Sequence, residues 1–576
     1  MKKVAPLLLA AVALLAAAPA PAVDARFESL RPGPAAGSWD GVLAVSASLA
    51  RAKDALVFAV DGVPVAAETS PLGDGRLSVR VKGVPAGAEV LSVAEGPAGK
   101  RPPLAALRLG PGTGTAFGDW VIYHVMVEMF RNGDRGNDNA VAGWKHPNYA
   151  GGDLKGVIEG LDHVRSLGAN AIWLSPVFLS ATSHGYDVRN YYAIADQWGA
   201  SGDRAASLEL FRSLVKKAHE AGIRVVLDVP LNHASRLYEL PEGDPSGLKP
   251  RATGAIQPAE KLWESWGGNY RYWSFESSPT RRFLVEAALH WLRDEGVDGL
   301  RLDYVRGVPS DFWADLYAEV KKAKPGAFLV GECWADEQGP DGNAREISSY
   351  YREVPGKGRQ FDSLLDFPMQ ATLTSVFAGG GSAASLEERL QGDLALYGPS
   401  AGPAYFLDNH DMSRFLSWTP DTNRLVAALA FMASLSGPQV IFYGTETGLA
   451  SGAPKKGFTD SSRVPMPWGS LDDALVARVR KVLEVRRAHT SLWRGARLPI
   501  RAEKELLVMA KRDAAETVLV GVNLGKEREV EVDLDGLVAE GVTLKSVLGD
   551  SAFVAVPGSR RIRWRLPALS TSILAP

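Results

Sequence analysis

The sequence predicts an α/β protein in which a (β/α)8 barrel (a TIM barrel) lies between an N-terminal and a C-terminal β-sandwich domain. From Trp120 onward, short apolar runs alternate with amphipathic helical segments, as in parallel sheets with crossover helices. The flanking segments instead alternate apolar and polar residues between glycine, proline and aspartate turns. A chain of 576 residues is long enough to form three such domains.

The N-terminus predicts an export signal. Lys2 and Lys3 precede an apolar run over 7–18, and a small-residue segment that offers a cleavage site ends at Ala22. We therefore expect residues 1–22 to be a signal peptide. The run is too short for a comfortable membrane span, so we expect none in the mature chain. The expected location is secreted, either periplasmic or extracellular.

Residues 23–112 predict the N-terminal β domain, since stretches such as Ala55–Val60 and Leu77–Val81 alternate between turn residues. Residues 493–576 return to the same pattern, as in Thr517–Asn523, and predict the C-terminal β domain. The barrel is expected between them, over residues 113–492. The N-terminal domain either binds substrate or packs beside the barrel and shapes its cleft.

Eight strands and seven helices are predicted for the barrel. The strands are expected near 120–127, 170–175, 223–229, 297–303, 327–332, 361–366, 404–408 and 438–443. The helices are expected at 153–167, 204–221, 280–295, 310–323, 386–396, 423–434 and 472–488. Eight such units close naturally into a barrel, whose active site lies at the carboxyl ends of its strands.

The charge is balanced, with 64 Lys and Arg against 66 Asp and Glu and a formal net charge of -2. No excess favours nucleic acid, so we expect no nucleic-acid partner. Cys333 is the only cysteine, which excludes an internal disulfide. The oligomeric state stays open.

Three carboxylates stand at or just beyond the ends of predicted strands, namely Asp303, Glu332 and Asp411. Because strand side chains alternate between faces, Arg301 and Asp303 point to the same side of their strand. Converging carboxylates suit the cleavage of glycosidic bonds, which needs a proton donor and a carboxylate nucleophile. The sequence therefore predicts catalysis by these three side chains.

Five motifs in order along the chain resemble those of one family. They are His184-Gly-Tyr-Asp-Val-Arg-Asn-Tyr-Tyr192, Asp228-Val-Pro-Leu-Asn-His233, Gly299-Leu-Arg-Leu-Asp303, Gly331-Glu-Cys-Trp334 and Phe406-Leu-Asp-Asn-His-Asp411. On these motifs, residues 120–490 resemble the α-amylase family of retaining glycoside hydrolases (glycoside hydrolase family 13). The likeness is to cyclomaltodextrinase- and neopullulanase-like members and to α-amylases.

The resemblance implies a role for each matching residue. Asp303 matches the nucleophile, Glu332 the general acid and base, and Asp411 the carboxylate that grips sugar hydroxyls in the transition state. Arg301 matches the arginine that keeps the nucleophile ionised. Further sugar contacts are implied for Tyr186, Asp187, His233, His410, Arg306 and Trp334.

The sequence departs from the family pattern in two places. Arg306 and Gly307 stand where many α-1,4-acting members carry a Lys-His pair that contacts the sugar on the leaving side. The loop after the third strand, 234–279, is short and carries an aromatic run from Trp263 to Trp273. These aromatic rings either line sugar subsites or pack in the core. We expect short α-glucans or cyclic dextrins to be better substrates than granular starch.

An oxygen-rich loop follows the first strand and predicts a calcium site. Calcium prefers about six to eight oxygen ligands from carboxylates, amides and backbone carbonyls. The loop resembles the calcium site of cyclodextrin-processing family members. The expected ligands are Asn132, Asp134, Asn137, Asp138, Gly151 and Asp153.

The function predicted from the sequence is hydrolysis of α-glucosidic, mainly α-1,4, bonds by double displacement. Expected substrates are maltooligosaccharides, cyclodextrins or starch-type glucans. One alternative is a glucan transglycosylase, similar to cyclodextrin glucanotransferases, in which a sugar resolves the covalent intermediate. Another is a carbohydrate-binding barrel without catalysis, although such relatives usually lack one of the three carboxylates.

Overall fold

The computed structural model describes residues 25–86, 88–96, 103–109, 117–141, 143–239 and 270–576. The predicted signal peptide, residues 1–22, and the aromatic residues Trp263 and Trp266 lie outside these ranges.

The eight predicted barrel strands are all present and form one parallel sheet. In chain order they are Val121–Val125, Ala171–Leu174, Arg224–Val229, Gly299–Leu302, Phe328–Gly331, Ser363–Leu364, Tyr405–Phe406 and Gln439–Phe442. Each pairs with its neighbour in the chain, and the eighth pairs with the first. A parallel bridge between Leu365 and Ala404 joins the sixth strand to the seventh and closes the ring. The prediction of a (β/α)8 barrel is confirmed.

The seven predicted helices are found with ends that differ by at most two residues. They are Leu154–Leu167, Arg204–Glu220, Ser278–Arg293, Ser310–Ala323, Ala384–Tyr397, Thr422–Met432 and Asp473–Ala488. Two further helices, Gly339–Tyr351 and Phe367–Leu373, were not predicted. Within the described part of the chain, no helix combines the length and the apolar character that a membrane span needs.

Local signals fix where these helices start. The side chains of Asp153, Asp203 and Asp472 accept hydrogen bonds from backbone N–H groups in the first turns of the helices that follow them. Such N-caps satisfy donors that have no partner within the helix. Gly168 ends the first of these helices with φ 99°, a conformation that favours glycine.

Alternation along the strands gives the barrel an apolar interior below its functional end. Residues that point inward include Ile122, Trp173, Val226, Phe328 and Val330, which form one buried cluster. Leu300 and Leu302 point the other way and belong to the larger core beneath the helices. Because these two cores hold the strands rigidly, side chains at the carboxyl ends of the strands are held in fixed positions.

Two short hairpins and several short helical segments connect or follow the elements of the barrel. The hairpins pair Phe178–Ser180 with Val188–Ile194, and His233–Ser235 with Tyr270–Tyr272. The short helical segments are Val127–Phe130, Arg135–Asn137, Asp336–Gln338, Thr374–Ala378, Phe415–Trp418, Thr445–Thr447 and Ser491–Arg494.

The N-terminal region forms two antiparallel sheets that pack face to face around one apolar cluster. In sheet order, the strands of the first are Ala25–Pro32, Trp39–Val45, Arg76–Val81 and Ala67–Gly73. Those of the second are Val63–Val65, Leu56–Val60, Val90–Glu95 and Ala105–Arg108. Short helical turns lie at Ala47–Arg51 and Lys53–Ala55. This sandwich docks on the helix Ala384–Tyr397, where the Gln391 amide bonds the backbone of Phe27 in both directions at 2.8 Å.

The C-terminal region also consists of two antiparallel sheets around a common core. The five-stranded sheet contains, in order, Ala496–Ala502, Leu506–Arg512, Thr517–Asn523, Ser570–Ala575 and Lys545–Leu548. The three-stranded sheet contains Arg528–Asp533, Arg561–Leu566 and Ala552–Ala555. Trp564 is fully buried between the sheets. The two flanking sandwiches agree with the fold class predicted from the sequence.

Candidate active site

The three predicted carboxylates meet in one cavity at the carboxyl end of the barrel. Asp303 directly follows the fourth strand, Glu332 directly follows the fifth, and Asp411 follows the seventh. All three line a cavity of about 380 Å³. All three are largely buried, since the side chains of Asp303, Glu332 and Asp411 are 7%, 5% and 13% exposed. Separate segments of the chain therefore converge on one acidic site.

Arg301 binds two of these carboxylates with one guanidinium group. Its Nη1 donates to Asp303 Oδ1 at 2.6 Å, and its Nη2 lies 2.8 Å from Glu332 Oε2. The backbone N–H of Tyr304 also donates to Glu332 Oε2 at 3.1 Å. The two carboxyl groups thus face each other across the fork of a single buried cation.

Asp228 fixes the orientation of Arg301. Its two carboxylate oxygens accept from Arg301 Nη1 at 2.9 and 3.0 Å. Trp173 Nε1–H and the Tyr186 hydroxyl donate to Asp228 Oδ2 at 3.0 and 2.9 Å. The sequence motif that begins at Asp228 contained this residue, but sequence reasoning gave it no role. Its place on the third strand, next to the strand that carries Arg301, was the available signal.

Burial raises the pKa values of both Glu332 and Asp303. Burial raises the pKa of Glu332 to about 8, against the opposing effect of the Arg301 guanidinium. Burial raises the pKa of Asp303 to about 7, again opposed by Arg301. Glu332 therefore keeps its proton to a higher pH than Asp303 does. The raised pKa suits Glu332 as the acid, and Arg301 favours the ionised form of Asp303 against the effect of burial.

Asp411 has a different environment. Its Oδ1 accepts from Arg463 Nη2 at 2.6 Å, and its Oδ2 lies 3.0 Å from His410 Nε2. Burial alone would raise the pKa of Asp411, but His410 and Arg463 outweigh it and hold that pKa well below its usual range. Asp411 is therefore ionised at neutral pH. Arg463, which lies in the loop after the eighth strand, was missed because no motif marks it.

The predicted sugar-binding residues Tyr186 and His410 lie side by side at the cavity. Their rings stack with centroids 5.3 Å apart, and the Tyr186 hydroxyl lies 2.7 Å from His410 Nε2. His233, also predicted to bind sugar, does not line the cavity; it is fully buried and donates from Nε2 to the Tyr186 carbonyl at 2.8 Å. Burial lowers the pKa values of His233 and His410 to about 4, so both imidazoles are neutral at neutral pH.

The other predicted sugar contacts divide into lining and supporting positions. Trp334 lines the cavity and stacks on Phe367, with centroids 5.1 Å apart. Asp187 does not line the cavity, because its carboxylate accepts from the Ser180 and Thr182 hydroxyls.

Arg306 also lies outside the lining, although it was predicted to contact the sugar on the leaving side. Its guanidinium is bound at 2.6 Å by Glu337 and at 2.6 Å by Glu346, and it donates to the Trp334 carbonyl at 3.0 Å. Glu337 itself lines the cavity, so Arg306 lies behind this wall and supports it through Glu337 and the Trp334 carbonyl.

The structure decides, for the described residues of the third loop, between the two alternatives that the sequence left open. Trp273, expected as a candidate subsite residue, is only 5% exposed, and its indole N–H donates to the Tyr191 hydroxyl at 3.2 Å. It packs with Tyr238 and Phe283 in the core beneath the hairpin. Tyr270 from the same run does line the cavity. Tyr270 and Trp273 are three residues apart in an extended segment, so their side chains point to opposite faces, and the sequence alone did not show which face meets the cavity.

The residues of the predicted calcium loop lie close together. Asn132 Nδ2 donates to Asp138 Oδ1 at 2.7 Å, and a β-carbon at Gly151 would lie 2.4 Å from both atoms. Asp153 Oδ2 accepts from the backbone N–H groups of Gly133 and Asp134.

Two amide oxygens in this loop, Asn132 Oδ1 and Asn137 Oδ1, are buried without a hydrogen-bond partner. Among the described residues, no group of three or more His, Cys, Asp or Glu side chains forms a metal cluster. The oxygen donors that fit a hard cation here are therefore mainly amides and carbonyls.

Carboxylates that converge at the strand ends of a (β/α)8 barrel and share a buried arginine suit the cleavage of glycosidic bonds. The family model described as "Alpha amylase, catalytic domain" matches residues 124–244 and 273–512. The chain therefore belongs to the alpha-amylase family, and it is an alpha-amylase-type glycosidase.

Two curated relatives show the degree of similarity. A cyclomaltodextrinase from Bacillus sp. is 31% identical over 71% of this chain and 73% of its own length. Neopullulanase 2 from Thermoactinomyces vulgaris is 30% identical over 72% of this chain and 70% of its own length.

Two solved structures are also similar. The alpha-amylase of Anoxybacillus is 27% identical, with a TM-score of 0.67, and the match covers 80% of this chain and 98% of that one. The Geobacillus thermoleovorans alpha-amylase in complex with acarbose is 25% identical, with a TM-score of 0.66 over 80% and 98% of the two chains.

Proposed function

We propose that this protein hydrolyses α-1,4 bonds of short α-glucans, namely maltooligosaccharides and cyclodextrins, with retention of configuration. The observation that carries this proposal is the Arg301 fork, which brings Asp303 and Glu332 to the same cation. Retaining glycosidases need two carboxyl groups about 5–5.5 Å apart, too close to admit a water between them. A shared guanidinium favours such a short separation.

In the first step, Glu332 transfers its proton to the glycosidic oxygen while Asp303 attacks the anomeric carbon. The bond to the leaving sugar breaks, and a glycosyl ester forms on Asp303. In the second step, Glu332, now ionised, takes a proton from water as the water oxygen attacks the same carbon. Asp303 leaves as a carboxylate, and Glu332 is protonated again.

Asp411 acts on the substrate without forming a bond to it. It is ionised at neutral pH because Arg463 and His410 hold its pKa low. A fixed negative charge beside the cleavage point favours the positive charge that develops on the sugar ring in the transition state. The neutral imidazole of His410 and the Tyr186 ring beside it lie where they can bind that sugar.

The proposed preference for short or cyclic substrates rests on the leaving side of the cavity. Arg306, bound by Glu337 and Glu346, stands there in place of the Lys-His pair of many α-1,4-acting relatives. The relatives named cyclomaltodextrinase and neopullulanase support this substrate class.

Product analysis on maltotriose, cyclodextrin, pullulan and starch tests the proposal, with NMR following the anomer released first. Release of the α-anomer with higher kcat/KM on cyclodextrin than on starch supports it. Products longer than the substrate would indicate a transglycosylase, in which a sugar hydroxyl replaces the water of the second step. Release of the β-anomer contradicts retention.

We also propose that the loop after the first strand binds calcium. The proposed ligands are the amide oxygens of Asn132 and Asn137, the carboxylates of Asp134, Asp138 and Asp153, and the Gly151 carbonyl. A bound cation would fix this loop against the start of the helix that Asp153 caps. No step of the reaction passes through it.

Export is a further part of the proposed function. The Lys2–Ala22 segment supports cleavage near Ala22 and a periplasmic or extracellular location. Fractionation of the producing cells, with N-terminal sequencing of the mature chain, tests it. An intact N-terminus in the cytoplasm contradicts it.

A further inference from the structure

An exposed tryptophan stands at the mouth of the cavity. Trp144 is 48% exposed, and among the large apolar residues that the structure describes as exposed, it alone lines the cavity. Five other tryptophans are fully buried, namely Trp173, Trp198, Trp291, Trp313 and Trp564. A half-exposed indole beside the cavity offers an apolar surface that a ligand in the cavity can cover.

The backbone holds Trp144 in place. Its N–H donates to the Ala181 carbonyl at 3.0 Å, and its carbonyl accepts from the Ser183 N–H at 2.9 Å. A β-carbon at Gly143 would lie 2.2 Å from the Ala181 oxygen, so only glycine allows this approach. The loop after the first strand is therefore pinned to the loop after the second.

Two imidazoles position the indole ring itself. The His146 ring meets it edge-on, with centroids 5.7 Å apart, and the His184 ring lies 5.6 Å away. His184 in turn lies 5.7 Å from the Tyr186 ring, which borders the cleavage point. A line of rings therefore leads from the cleavage point to Trp144, whose surface is still 48% exposed beside the cavity.

The order of the strands tells which part of a substrate this face meets. Trp144 lies on the loop of the first strand, and Glu332 ends the fifth, so three strands separate them in both directions around the ring. Glu332 protonates the oxygen of the leaving sugar in the proposed mechanism, so the leaving sugars lie on its side. The opposite side receives the sugars that stay attached to the glycone at the cleavage point.

We propose that Trp144 is the stacking platform for the second glucosyl unit on the glycone side, and so selects maltosyl or longer chains over single glucosyl groups. This inference rests on the proposed function and names a subsite of it. The apolar face of a glucose ring would cover the exposed indole face. Only substrates with at least two glucosyl units on the glycone side would be stabilised by this stacking.

The test uses two aryl substrates with the same leaving group, 4-nitrophenyl α-glucoside and 4-nitrophenyl α-maltoside. In Trp144→Ala, kcat/KM for the maltoside should fall at least tenfold, while the glucoside should change less than twofold. Trp144→Phe should restore part of the loss. Tyr192→Ala is the matched control, because Tyr192 is 38% exposed but does not line the cavity. An equal fall on both substrates, or no fall on either, overturns the proposal.

A binding measurement separates this proposal from the proposed function. Calorimetry with maltotriose on Glu332→Gln should show binding that weakens at least tenfold when Trp144→Ala is added. If maltotriose binds in this manner but wild type cleaves neither maltotriose and cyclodextrin nor the aryl substrates, the hydrolytic function fails and the platform stands. If binding does not depend on Trp144 although wild type cleaves both substrates, the platform fails alone.

Discussion

Arg301 Nη1 lies 2.6 Å from Asp303 Oδ1, and both groups are buried at the end of the same strand. A buried cation costs several kcal/mol of desolvation unless its partners are well placed. Here Asp228 and Glu332 complete the environment of the guanidinium. The arrangement holds the attacking carboxylate in one orientation, which reduces the entropic part of the activation barrier.

The first prediction concerns the acid. Glu332→Gln should lower kcat/KM on maltotriose by about 10²–10⁴-fold, the usual contribution of general acid–base catalysis. An α-glucosyl fluoride, whose leaving group needs no proton, should still react in the first step. Stopped-flow release of fluoride measures this. A variant that cleaves maltotriose at the wild-type rate would remove Glu332 from its role.

The second prediction is the pH dependence. Asp303 has to be ionised, so kcat/KM should rise as the pH passes the Asp303 pKa of about 7. Glu332 has to be protonated, so kcat/KM should fall as the pH passes the Glu332 pKa of about 8. The two limbs belong to the interacting pair rather than to either group alone. In Glu332→Gln, measured with the fluoride substrate, the fall of kcat/KM at alkaline pH should vanish. If it persists, a group other than Glu332 causes it.

The third prediction concerns Arg463, whose Nη2 bonds Asp411 at 2.6 Å. Arg463→Ala should raise the pKa of Asp411 and lower kcat by roughly 10- to 100-fold, about 1.4–2.7 kcal/mol of barrier. Arg463→Lys should recover part of kcat, because it restores the charge. Arg561→Ala removes an exposed ion pair with Glu531 in the C-terminal sheet and should leave kcat unchanged. Equal kcat in wild type and Arg463→Ala contradicts the role.

The fourth prediction separates packing from binding at Trp273. Deleting a buried large aromatic side chain typically costs about 3–5 kcal/mol. Trp273→Ala should therefore lower Tm by several degrees, as measured by scanning calorimetry. The ratio of kcat/KM between maltotriose and an aryl α-glucoside should not change. A changed ratio of kcat/KM at unchanged Tm would indicate that Trp273 contacts the substrate.

The fifth prediction concerns calcium. A cation that binds only the folded chain stabilises it by mass action, so a chelator should lower Tm and added calcium should restore it. Asn132→Ala should remove this response. Asp153→Ala is a poorer test, because Asp153 also caps the helix Leu154–Leu167 and its loss destabilises that helix by itself. A chelator-insensitive Tm in wild type counts against the site.

Much of the barrel could be predicted because each strand is a short apolar run with polar ends, which is the pattern of a strand buried on both faces. The helix Gly339–Tyr351 was missed because it opens with Gly-Pro-Asp-Gly-Asn, residues of low helix propensity. Tertiary contacts, such as the Asn343 amide bonds to Cys333 and Ala335, hold it instead.

The candidate site divides in the same manner. Asp303, Glu332 and Asp411 stand in motifs, and their convergence follows from parallel strands in a barrel. Arg463 and Trp144 stand in irregular loops, where no periodicity tells which way a side chain points. The direction of Trp273 into the core depended on the pairing of its hairpin with His233–Ser235.

Trapping the covalent intermediate tests directly whether Asp303 is the nucleophile. Glu332→Gln is incubated with an α-maltosyl fluoride, digested and examined by mass spectrometry, with Asp303→Asn in the same background as control. If Asp303 is the nucleophile, a maltosyl adduct is expected on the peptide that contains Asp303, and none in the control. A maltosyl adduct on another carboxylate, or fluoride release through an inverted product without any adduct, would contradict it.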